Sequence, residues 1–182
     1  MVDHTLGIVG LGKIGLNLAR LAAPFEMRLL GYDPFVTASQ AKQCGVELVS
    51  LEELLRNSDY VSLHVPLDQT TRGLINRNRI SQMKNGAILI NTSRGGVIEN
   101  LDVLAEGLES GRLGGVGLDV FPAEPPDISH RIFQDSRLLC APHLLGVSEL
   151  AMNRIYRSMA NDMVAVLSGR RPSFCVNPQV FD

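Results

Sequence analysis

A chain of 182 residues, 45% hydrophobic and 20% charged, is long enough to bury a full sheet with its flanking helices and has a globular composition. Its formal net charge of −2 gives no electrostatic basis for binding nucleic acid or an anionic membrane surface. No apolar run reaches bilayer length, and the first residues lack a signal peptide's basic and apolar regions, so the expectation is a cytoplasmic protein with no membrane or nucleic-acid partner. Cys44, Cys140 and Cys175 are odd in number and form no CxxC pair, which argues against a disulfide framework or a zinc site and leaves them as small packing hydrophobes.

Short apolar runs alternate with amphipathic segments as far as Ala141, the pattern of a parallel sheet covered by helices. The first strand, Leu6–Val9, runs into Gly10-Leu11-Gly12-Lys13-Ile14-Gly15 and a helix from Lys13 to Ala23. Here Gly10 permits the tight turn, Gly12 lets backbone N–H groups approach a pyrophosphate, and Gly15 lets helix and strand pack closely. The amides and partial positive charge of the helix N-terminus, at Lys13 and Ile14, complete an anion cradle. Strand two, Arg28–Tyr32, ends at Asp33, eighteen residues beyond Gly15. A carboxylate at that place accepts hydrogen bonds from the adenosine ribose and repels a 2′-phosphate, so the dinucleotide is read as NAD(H), not NADP(H). The alternative is an Asp-Pro turn with Pro34.

Next come a helix over Val36–Cys44, a strand over Val46–Leu48 and a helix over Leu51–Asn57, with Ser50 and Glu53 placed to form a capping box. A strand at Tyr60–Leu63 and a helix at Arg77–Met83 follow, then a strand at Ala87–Asn91, a helix at Asn100–Ser110 and a strand at Gly115–Asp119. Gly45, Gly86 and Gly111 stand where helices should stop. From Phe121 to Asp135 the chain is too proline-rich for a helix. A strand at Leu138–Cys140 precedes a long last helix, Ser148–Ser168, whose stripe Ile155, Met159, Met163 and Val166 reads as core. The fold class is therefore α/β: a doubly wound, mostly parallel sheet with strand one central and the glycine turn at the switch point. Residues 1–169 form the nucleotide-binding domain, and residues 170–182 an extended tail.

In an open parallel sheet, ligands bind beyond the carboxyl ends of the strands. Those ends carry Thr92-Ser93-Arg94-Gly95-Gly96, Asp119 and Ala141-Pro142-His143. Taken together, GIVGLGKIG, YDP, HVPL with TRGLIN, NTSRGGVIE, GLDVFPAEPP and APHLLG resemble the nucleotide-binding domain of the D-isomer-specific 2-hydroxyacid dehydrogenases, relatives of phosphoglycerate dehydrogenase. They run in the family's order over nearly the whole chain. The resemblance implies an arginine, a glutamate and a histidine acting on a 2-oxo or 2-hydroxy acid, which by motif position are Arg94, Glu124 and His143. Arg94 offers a planar fork to the substrate, His143 moves a proton, and Glu124 orients the imidazole. The resemblance further places Val65 and Pro66 against the adenine, Thr92 and Ser93 near the nicotinamide ribose, and Asp119 at the carboxamide, with Gly146 in the turn after His143. His4, His64 and His130 read as structural or surface residues.

Leu144-Leu145 departs from the family's small residues and is expected to narrow the nicotinamide pocket or bend its loop. The family's substrate domain is largely missing from this sequence, and the tail resembles the segment that returns toward it. An NAD-dependent oxidoreductase is the first functional reading, one whose chain is poorly active alone. A stand-alone NAD(H)-binding sensor or interaction module without turnover is the second. Retention of Arg94, Glu124 and His143 together favours the first, and a homodimer is left open.

Overall fold

Seven parallel strands form one sheet in the order β3-β2-β1-β4-β5-β6-β7 in the computed structural model, which describes residues 2–181. They are β1 (Thr5–Val9), β2 (Arg28–Tyr32), β3 (Glu47–Leu48), β4 (Tyr60–Leu63), β5 (Ala87–Asn91), β6 (Leu113–Leu118) and β7 (Leu138–Cys140). The helices are α1 (Lys13–Ala22), α2 (Ala38–Lys42), α3 (Leu51–Asn57), α4 (Arg77–Gln82), α5 (Leu101–Glu109) and α6 (Glu149–Leu167). Strand order reverses between β1 and β4, which opens the crevice where such sheets take their ligands.

Two apolar clusters sandwich this sheet. Leu6, Ile8 and Leu29 pack with Leu11, Ala19 and Ala22 of the α1 segment and with Ala41 of α2. Val61, Leu63, Leu89, Val116 and Leu118 pack with Leu54 and Leu55 of α3, Ile80 of α4, and Leu104 and Leu108 of α5. The apolar residues of β1 go to both clusters, Leu6 and Ile8 to one and Val9 to the other, as a period of two requires of a strand covered on both faces.

Several local expectations are corrected. Ser50 Oγ accepts the Glu53 amide at 3.2 Å, but the complete reciprocal box lies one helix earlier, where Thr37 and Gln40 cap α2 and delay its start to Ala38. Strand β6 begins at Leu113 because Gly114 and Gly115 interrupt the apolar run without interrupting the backbone; a Cβ at Gly114 would stand 2.5 Å from the Gly86 carbonyl. Cys140 is exposed on the edge strand β7 and not packed inside.

By its contacts the chain divides into two compact units, and the second begins at Leu144, ahead of the 169/170 boundary drawn from the sequence. Within that second unit, the α6 stripe is not core. Ile155, Met159, Met163 and Val166 are 48%, 55%, 63% and 53% exposed. They line an open groove of about 680 Å³ together with Pro172 and Phe174. The tail folds back on α6, since Asp162 accepts the amides of Ser173 at 2.7 Å and Phe174 at 3.3 Å, yet so short a unit has too little chain to cover the stripe.

Helix α1 sits so close to β1 that a Cβ on Gly15 would lie 2.0 Å from the Gly10 carbonyl oxygen, whereas a Cβ on Gly12 would meet nothing within 4 Å. Gly15→Ala should therefore lower unfolding stability by about 1–3 kcal/mol, the usual cost of overpacking. Gly12→Ala should stay within about 0.5 kcal/mol of the parent. Urea midpoints for the two variants check both statements, and equal midpoints would mean that α1 is not seated on the glycine turn.

Candidate active site

The carboxyl ends of β1 and β2 are tied together by one carboxylate. Asp33 Oδ2 accepts the Leu11 amide at 2.8 Å and Oδ1 accepts the Phe35 amide at 2.8 Å, while the Gly10 amide donates to the Tyr32 carbonyl at 2.8 Å. Asp33 is thus both the turn cap and the brace of the glycine loop, a second duty the sequence did not disclose. Each oxygen keeps a lone pair for a further donor. Gly10 has φ +95° and lies against the His64 backbone, with Val65 Cγ1 beside it. Gly12 is the N-cap of α1, and no side chain satisfies the first amides of that helix. Lys13 and Ile14 are exposed at this end. An open cradle of backbone donors with no Cβ in its floor suits a pyrophosphate. Pro66 is exposed beyond β4, and its carbonyl accepts the Thr71 hydroxyl at 2.6 Å. His64, read as structural, engages Ser62 Oγ through Nε2 at 2.9 Å, and burial pushes its pKa down.

At the end of β5, Asn91 is wholly buried and organises the following turn. Its Nδ2 donates to the Arg94 carbonyl at 3.0 Å, and its Oδ1 accepts from the Ser93 amide at 3.0 Å and the Ser93 hydroxyl at 2.8 Å. Sequence reasoning placed Asn91 only as a strand end; a polar residue closing an apolar run was the available signal. Thr92 and Arg94 are exposed, and Arg94 Nη1 donates to the Ser93 carbonyl at 2.7 Å. Asp119, buried just beyond β6, donates its amide to the Asn91 carbonyl at 3.0 Å.

Glu124 and His143 meet. Glu124 Oε1 accepts the Phe121 amide at 3.0 Å, and Oε2 lies 3.1 Å from His143 Nδ1. Facing a carboxylate, which only accepts, Nδ1 carries the hydrogen. His143 has φ +59°, in the left-handed region, and follows Pro142 beyond the end of β7. Both side chains are about half exposed, beside a pocket of about 490 Å³ whose walls include Phe121, Pro126, Phe133 and Pro142. The Phe121 N–H, then the His143 bond and the charges of His143 and Arg94, hold the Glu124 carboxyl below the usual glutamate range against the opposing effect of burial. Arg94 is therefore close enough for its charge to be felt at Glu124. Leu144, Leu145 and Gly146 lie in the second unit, the two leucines 54% and 66% exposed. Among the described residues no group of three or more His, Cys, Asp or Glu could hold a metal ion, and no helix is long and apolar enough to cross a membrane.

Residues 1–144 match the family description "D-isomer specific 2-hydroxyacid dehydrogenase, NAD binding domain". The chain belongs to that family. Among similar proteins, the glyoxylate reductase of Korarchaeum cryptofilum (strain OPF8) is 41% identical over 177 residues, covering 97% of this chain and 53% of the relative. The TT0316 protein from Thermus thermophilus superposes with a TM-score of 0.89 at 36% identity, over 96% of this chain and 54% of that one. D-lactate dehydrogenase from Aquifex aeolicus, solved with NAD and lactic acid, gives a TM-score of 0.83 at 34% identity, over 91% and 54%. The chain thus spans about half the length of these relatives. It is the family's NAD-binding half, and the cofactor of this domain is NAD.

Because its folded pKa is depressed, Glu124 contributes stability that is present above its unfolded pKa and is lost as the pH falls through the lower folded value. A carbon-detected NMR titration should find the Glu124 carboxyl ionising below the ordinary glutamate value. In His143→Ala the midpoint should rise only part of the way back, since the Phe121 amide, the larger cause, remains. A full return to the ordinary value would mean that His143 is the dominant partner.

Proposed function

We propose that this chain is the cofactor half of an NAD-dependent oxidoreductase that interconverts a small 2-oxo acid and its 2-hydroxy acid, with His143 as acid and base, Glu124 as its orienting carboxylate and Arg94 as the substrate clamp. The 3.1 Å contact between His143 Nδ1 and Glu124, made within range of the Arg94 charge, carries this reading. With Nδ1–H engaged by Glu124, Nε2 is the ring atom available to a substrate oxygen. In the reducing direction His143 gives a proton from Nε2 to the carbonyl oxygen while a hydride adds to the carbonyl carbon, so that C=O becomes CH–OH. In the oxidising direction Nε2 takes the hydroxyl proton as the C–H bond yields its hydride. Bound NAD(H) is the donor or acceptor of that hydride. Arg94 pairs with the carboxylate next to the reacting carbon, so the clamp and the proton donor act on adjacent carbons. Glyoxylate and lactate, the compounds in the relatives' names, share that carboxylate beside the reacting carbon, which supports the substrate class.

The nicotinamide carboxamide falls to Asp119, the adjoining ribose to Thr92 and Ser93, and the adenine to Val65 and Pro66. Asp33 faces the adenosine ribose, where a 2′-phosphate would meet like-charge repulsion. Titration calorimetry should show tighter binding of NADH than of NADPH. Asp33→Ala should weaken both, since the Leu11 amide loses its acceptor, and should narrow the gap between them. Equal affinities in the parent chain would reject the assignment.

Near-attack geometry also needs water excluded from the site, and the relatives have roughly twice the chain to do it. Followed by NADH absorbance with glyoxylate, pyruvate and hydroxypyruvate, the 182-residue chain should turn over at least about a hundredfold more slowly than a full-length relative, and His143→Ala should abolish what remains. Turnover at a relative's rate would show that this half completes the site unaided. Turnover indifferent to His143→Ala would remove His143 from the chemistry.

A further inference from the structure

We infer that Asn91 is a positioning residue for Arg94, an inference that rests on Arg94 holding the substrate carboxylate. An asparagine side chain has two N–H donors and two acceptor lone pairs, and when buried it must find partners for them. At the end of β5, three of those four capacities go to two consecutive residues: one N–H to the Arg94 carbonyl at 3.0 Å, and the oxygen to the Ser93 amide at 3.0 Å and the Ser93 hydroxyl at 2.8 Å. Asn91 is 0% exposed, so water cannot take over these bonds. Its own carbonyl receives the Asp119 amide at 3.0 Å, which fixes the amide's base to β6.

The turn is clamped from the other side as well. A Cβ on Gly95 would stand 1.9 Å from the Phe121 carbonyl oxygen, so the backbone just after Arg94 is pressed against the loop that carries Glu124. The Arg94 side chain closes back on the same turn, Nη1 donating to the Ser93 carbonyl at 2.7 Å. The placement of an exposed, flexible guanidinium thus descends from a buried amide that touches only its backbone. If the Asn91 bonds are lost, the Ser93 amide and the Arg94 carbonyl must find new partners, the turn shifts, and the fork moves away from the carboxylate it should grip. Misplacement by about 1 Å is worth on the order of a hundredfold at a reacting centre.

The test uses the 182-residue chain saturated with NADH and titrated with oxamate, an unreactive mimic of a 2-oxo acid, by calorimetry. Asn91→Ala should weaken oxamate binding at least about tenfold, and by a clearly larger factor than it weakens NADH binding, which the turn serves only through Ser93 at one ribose; general loosening of the fold would lower both alike. Asn91→Asp keeps an acceptor for Ser93 but cannot donate to the Arg94 carbonyl. It should follow Asn91→Ala, and it supplies the same comparison if the alanine variant does not fold. On an Arg94→Ala background, Asn91→Ala should have no further effect on oxamate. Parent-like oxamate affinity in both Asn91 variants, or an equal loss with and without Arg94, would overturn the inference. A parent chain that binds NADH but not oxamate would overturn the reading of Arg94 and this inference with it.

Discussion

The nucleotide cradle at the carboxyl edge of the sheet depends on how closely α1 approaches the end of β1. The Gly10 carbonyl occupies the place where any larger residue at position 15 would put its Cβ, so the helix can start directly above the strand. Its first amides then point into the crevice at the switch between β1 and β4. Asp33 holds this arrangement from the neighbouring strand by accepting the Leu11 amide. One carboxylate therefore shapes the glycine loop and, in the function proposed above, also faces the adenosine ribose. Structural and binding roles are not alternatives at Asp33, because each oxygen accepts one backbone bond and retains capacity for another.

The other half of the site is built from bonds between strand ends. Asn91 closes β5 and governs the Ser93–Arg94 turn; the Asp119 amide ties the end of β6 to the Asn91 carbonyl; and the Phe121 amide, two residues on, fixes Glu124, which meets His143 beyond β7. Arg94, Glu124 and His143 come from three separate stretches of chain, yet their supports form nearly one hydrogen-bonded line along the edge of the sheet. A rigid layer of this kind suits chemistry that tolerates little misplacement.

The parallel sheet was legible because every central strand is an apolar run bounded by a glycine, a proline or a polar strand end. β2, β4, β5 and β7 begin and end at the residues read from the sequence. Misreadings arose where side chains and backbone disagree. Two glycines hid the start of β6, and the reciprocal box expected of Ser50 and Glu53 is formed instead by Thr37 and Gln40, whose Oε1 accepts both the amide and the hydroxyl of Thr37. The α6 stripe has the period of a buried helix, and periodicity states which residues share a face without stating that anything covers it. At the site, the motifs that resemble the family supplied the candidates, whereas the roles of Asn91 and of Asp33 toward Leu11 depend on contacts between separate strands that no local pattern encodes.

The contact between Glu124 and His143 has an energetic character of its own. Ion pairs and charged hydrogen bonds between half-exposed side chains add little to stability, since solvent competes for both partners. Against that small gain, His143 occupies a left-handed backbone conformation that a side chain with a Cβ adopts reluctantly. Glu124 meanwhile is committed to a loop amide. Fold stability alone would be served as well by a glycine at position 143 and an unconstrained side chain at position 124. That the sequence instead keeps an imidazole in this geometry, with one nitrogen oriented by a carboxylate and the other available at the edge of the cofactor domain, is the pattern expected where local strain serves proton transfer. This favours the enzymatic reading over a module that only binds NAD, for which neither side chain would be needed.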